Sequence, residues 1–97
     1  MSTEHEDFIK YYALRAQKCE IPVYMIPGLT RYLVDRIAPG DFLMAVLEND
    51  LMRALGTADD TNINCLKAYG TFLYNYAPAV CHGSREKVSA WLEGRQS

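Results

Sequence analysis

Neither charge is in excess in this chain. Ten Lys and Arg stand against twelve Asp and Glu, a formal charge of −2. A protein that tracks a nucleic-acid backbone or an anionic membrane carries a basic surplus, so neither partner is expected. The acidic side is equally too weak for a mimic of the DNA backbone. There is no Cys-x-x-Cys pair, and the three cysteines, Cys19, Cys65 and Cys81, are dispersed. An odd, scattered set is not a disulfide framework. With His5 and His82 isolated as well, no metal and no cofactor is expected. No apolar run approaches the roughly 18 residues that read as a membrane span. The start, Met1-Ser2-Thr3-Glu4-His5-Glu6-Asp7, is polar and acidic where a secretion signal is basic and then apolar. These features predict reduced thiols in the cytoplasm. Sustained period-two alternation is missing too, which argues against a sheet.

What is present is a chain of 97 residues, 49% of them apolar, enough for one core and one domain. Its apolar residues recur at helical spacing. A first helix is expected over Glu4–Lys18, with Glu6 and Asp7 at its positive end, Lys18 at its negative end, and a stripe of Phe8, Ile9, Tyr12 and Ala16. Pro22 and Pro27 make a connector of the next segment. Pro27-Gly28 opens a second helix, Leu29–Ile37, with Leu29, Tyr32, Leu33 and Arg36 in register. Pro39-Gly40 breaks the chain, and Asp41 can cap the helix after it.

The third helix is expected from Phe42 to Leu55, with Leu43, Leu47, Leu51 and Ala54 as one stripe. Gly56 ends it. A fourth, Thr61 to Ala77, carries Cys65, Leu66, Tyr69, Phe72, Leu73 and Tyr76 until Pro78. Ser84 caps a short last helix whose Val88, Trp91 and Leu92 face inward, and Gly94 closes it. The expected architecture is all-α, a compact single-domain bundle of four or five helices with antiparallel neighbours.

Candidate functional residues are those beside the apolar stripes. Arg31, Asn49, Arg53, Tyr74 and Asn75 are polar or aromatic groups at such positions, and exposed tyrosines supply interface area at low entropic cost. Asp50 falls at the edge of an apolar face, so its carboxylate needs a structural bond or a ligand. Two helix starts, Gly28-Leu29-Thr30-Arg31 and Gly83-Ser84-Arg85, offer amides and a cation to an anion. The first lacks the spacing and the preceding strand of a nucleotide loop. Cys81-His82 is too close in sequence for a nucleophile and its base. No catalytic constellation is found, and no enzymatic activity is expected.

From Ile21 onward several blocks carry a resemblance. They are Ile21-Pro22, Gly28-Leu29-x-Arg31-Tyr32, Pro39-Gly40-x-Phe42-Leu43-x-Ala45-Val46-Leu47-x-Asn49-Asp50-Leu51, Ala58-Asp59-x-x-Asn62, Leu73-Tyr74-Asn75-x-Ala77-Pro78 and Gly83-Ser84. Together they resemble a small protein family of tailed bacteriophages and prophages. The resemblance spans roughly three-quarters of the chain and leaves out residues 1–20. His82 stands where members often carry a tryptophan. The resemblance implies a viral context and transfers no catalytic residue. In that context the expected role is to bind and modulate a host protein, such as defence or transcription machinery. The alternative is a binder that sequesters a small ligand or cyclic nucleotide, with tyrosines stacking on the base. A symmetric homodimer through the tyrosine-bearing face of the fourth helix is a further expectation.

Overall fold

The computed structural model describes residues 3–94, so Met1 and Ser2 of the acidic start and the last three residues lie outside it. Among the described residues there is no strand, and the fold is all-α. It holds seven α-helices where four or five were expected. These are α1 (Thr3–Lys18), α2 (Ile26–Thr30), α3 (Asp41–Leu47), α4 (Leu51–Thr57), α5 (Asp60–Ile63), α6 (Leu66–Tyr76) and α7 (Arg85–Glu93). Helix α2 runs on as a π-helical turn, Arg31–Asp35, and short 3₁₀ turns cover Val23–Met25 and Ala79–Cys81. No described helix is long and apolar enough to cross a membrane.

The extra helices come from two corners. The expected third helix breaks at Asn49, whose φ of 63° is left-handed. The Asp50 amide donates to the Ala45 carbonyl at 2.8 Å and the Asn49 amide to the Val46 carbonyl at 3.1 Å. That pair of bonds satisfies carbonyls at a helix end, and asparagine is the residue besides glycine that most readily takes the left-handed position. Asp50 then caps α4, its Oδ1 accepting from the Arg53 amide at 3.1 Å. The expected fourth helix breaks at Asn64 and Cys65 into α5 and α6. The same closing bonds end α1 at Glu20, with Ile21 donating to Ala16 and Glu20 to Gln17. At Arg36 the pattern is widened by one residue, as a π-helical turn requires: Ile37 donates to Arg31 and Arg36 to Tyr32.

The core gathers residues from every part of the chain. Tyr32, Tyr69, Phe72, Leu29, Leu47, Val88 and Cys81 are the largest of its fully buried side chains. Buried hydroxyls need partners. Tyr32 donates to the Cys81 carbonyl at 2.6 Å and Tyr69 to Asn62 Oδ1 at 2.6 Å. The buried Asn62 thereby ties the α5–α6 corner to the core. Trp91 of α7 donates its ring N–H to the Tyr32 carbonyl at 2.9 Å, and Arg36 lies 3.8 Å over the Trp91 ring. Two expected core positions fall outside: Phe8 is 55% exposed and Leu51 61%. Phe8 lies on the outer side of α1, and the corner at Asn49 rotates Leu51 out of the α3 stripe.

Candidate functional site

The corner between α3 and α4 makes one wall of a cleft of about 270 Å³. Ala45 and Val46 of α3, Asn49 and Asp50 of the corner, and Leu51 and Ala54 of α4 line it. The opposite wall is Leu66, Gly70, Leu73 and Tyr74 of α6, with His82 and Gly83 at the end. Gly70 leaves the mouth open, since nothing lies within 4 Å of the position its Cβ would take. The two walls are joined by backbone: the Gly83 amide donates to the Leu47 carbonyl at 2.7 Å. Gly83 has a φ of 112°, which a side chain would strain.

The floor is apolar and the rim is mixed. Tyr74 stands at the rim, 87% exposed, and Leu51 and Met52 of α4 are also exposed. Asp50 spends one carboxylate oxygen on its helix cap; Arg53 Nη1 lies 3.7 Å from the other. His82 is half-buried, and burial, with Lys87 nearby, holds its pKa below the ordinary value. The Cys81 thiol beside it is buried, and that burial pushes its pKa up to about 11. It is therefore protonated near neutrality and a poor nucleophile. Nothing in the cleft assembles a nucleophile with a base.

The residues singled out in the sequence separate in space. Asn49, Tyr74 and Gly83 line the cleft. Arg53 turns to Glu48, which it meets at 2.7 Å. Arg85 approaches the same, nearly buried Glu48 at 3.9 Å. A carboxylate of the protein itself thus faces both cations. Ser84 accepts from the Lys87 amide as a helix cap. Arg31 is exposed beside Gly28, and Asn75 is exposed with its amide donating to the Thr71 carbonyl. Thr30 is buried and donates back to the Pro27 carbonyl at 3.0 Å, so it does not present its hydroxyl at a helix start.

Leu51, Leu66 and His82, which line the cleft, were not among the expected binding residues. Leu51 was hidden by its place in the apolar stripe; the Asn49-Asp50 pair, a left-handed residue followed by a cap, was the signal that releases it. Among the described residues no group of three or more His, Cys, Asp and Glu could hold a metal ion. No family model matches the chain, and no curated protein or solved structure matches it.

Proposed function

We propose that this protein is a non-enzymatic phage accessory module that binds and modulates a host protein, and that the contact is made at the cleft between Asn49 and Tyr74. The observation that carries the proposal is Tyr74, almost fully exposed beside an apolar floor, with the exposed Leu51 lining the same cleft. An exposed aromatic next to a concave apolar surface is the arrangement that concentrates binding energy in protein interfaces. The phage setting rests on the sequence resemblance. The partner that suits the cleft offers an apolar side chain to the floor and a donor to the outer oxygen of Asp50.

The ligand-sequestering alternative draws less support. Of its two cationic, amide-rich elements, one has Arg85 and Gly83 engaged with Glu48 and Leu47, and in the other the Thr30 hydroxyl is turned back to the Pro27 carbonyl. The test starts with a pull-down from host extract using the tagged chain. Affinity for the captured protein is then compared among wild type, Tyr74→Ala and Leu51→Ala. The expected result is a loss of at least about tenfold for Tyr74→Ala, as at interface hot spots, with the fold unchanged by circular dichroism. A partner that binds both variants as tightly as wild type overturns the proposal.

A further inference from the structure

Helix α1 leaves an apolar strip uncovered. Phe8, Tyr11 and Leu14 are 55%, 43% and 53% exposed. At 100° per residue they lie within one face. That face also carries Glu4 and Asp7 towards its start and Arg15 and Lys18 towards its end. The opposite side, with Tyr12, Ala13 and Ala16, packs on the core. An open hollow bounded by Glu4, Asp7, Phe8 and Tyr11 lies on the outer face.

The order of these residues is self-complementary. When a second α1 is laid antiparallel with Tyr11 against Tyr11, Phe8 comes level with Leu14 of the other copy, Asp7 with Arg15 and Glu4 with Lys18. By two-fold symmetry every pair except the central Tyr11–Tyr11 occurs twice. Each acid falls opposite a base and each apolar residue opposite an apolar one. A parallel arrangement would instead set acid against acid and base against base.

We infer that a second copy of this chain docks on α1, forming an antiparallel two-fold dimer centred on Tyr11. The hollow at the start of one α1 receives Leu14 and the aliphatic stem of Arg15 from the other copy. The Arg15 guanidinium lies 5.0 Å over the Tyr11 ring and 5.5 Å over that of Tyr76 in its own chain. With 16 residues α1 is about 24 Å long. One helix face is small beside the interfaces of permanent dimers, so the dimer forms and dissociates with concentration. This surface is separate from the cleft, and the dimer leaves Tyr74 free.

The test is sedimentation of the full chain across a wide concentration range, at low and high salt. Wild type is expected to pass from monomer to dimer and to dissociate more readily at high salt. Leu14→Lys is expected to remain monomeric. Lys18→Glu alone and Glu4→Lys alone each weaken association by roughly threefold to tenfold at low salt. The double variant Glu4→Lys/Lys18→Glu regains it, and so does an equimolar mixture of the two single variants. Restored association cannot come from a general loss of folding, which circular dichroism monitors for every variant. A wild-type chain that is monomeric at the highest concentration overturns the inference. So does a dimer indifferent to Leu14→Lys and to the charge reversals.

Discussion

Tyr32 and Cys81, far apart in sequence, meet at the centre of the molecule, where the tyrosine hydroxyl donates to the cysteine carbonyl at 2.6 Å. Both residues are fully buried. The bond fixes the 3₁₀ turn before α7 against the π-helical turn after α2. Tyr32→Phe keeps the ring and leaves that carbonyl without its partner. It should cost about 1–3 kcal/mol of stability. Urea unfolding of the two proteins measures it, and identical midpoints would show that the bond contributes nothing.

Asn49 sits in left-handed backbone, φ 63°. Asn49→Gly relieves the remaining steric cost and should leave stability equal or slightly higher. Asn49→Val places a branched side chain there and should lose about 1–2 kcal/mol, the usual cost of this conformation. Thermal melts of the pair check the ordering. A valine variant as stable as the glycine variant would mean that the corner is not left-handed in solution.

Arg36 lies against both the sole tryptophan, Trp91, and Gly94. The guanidinium covers the Trp91 ring, and its Nη1 donates weakly to the Trp91 carbonyl at 3.5 Å. A methyl group at Gly94 would overlap that guanidinium. Arg36→Ala and Gly94→Ala should both uncover the indole and shift its emission to the red. For Arg36→Ala the loss of stability should be about 1 kcal/mol. Unchanged emission in both variants would contradict the stacking.

His82 gives the protein a pH response of definite sign. Burial lowers its folded-state pKa below the ordinary 6.5, so the unfolded chain takes up the proton first. Its contribution to stability is complete above that value and is lost as the pH falls below it. Urea midpoints at pH about 7.5 and about 5.5 should differ more for wild type than for His82→Gln. Equal differences would remove His82 as the cause.

The sequence was informative where a local signal and the burial pattern agreed. Glu4–Lys18 nearly coincides with α1, Pro39-Gly40 marks the break before α3, and Ser84 caps α7, whereas Asp41, expected as the cap of α3, is its first residue and Gly40 takes the cap position. It misled where periodicity ran across a corner. Leu43, Leu47, Leu51 and Ala54 keep helical spacing on both sides of Asn49, yet the backbone turns there and Leu51 faces out. Period alone cannot register a left-handed residue; the Asn-Asp pair can, because one closes a helix and the next opens one. Phe8 was assigned inward for a related reason. A helix apolar on two sides has no unique buried face, and only the neighbours decide. Tyr74 was readable as exposed because it lies off the stripe of α6. The cleft it borders was not, since it needs Gly83 brought to Leu47 across the fold.

That last contact, main chain to main chain, holds the end of the recess to α3 without calling on any side chain. Side groups around its mouth are therefore free to drift while the frame endures. Tyr74 and Leu51, exposed at that mouth, can be exchanged while the same scaffold stays beneath them.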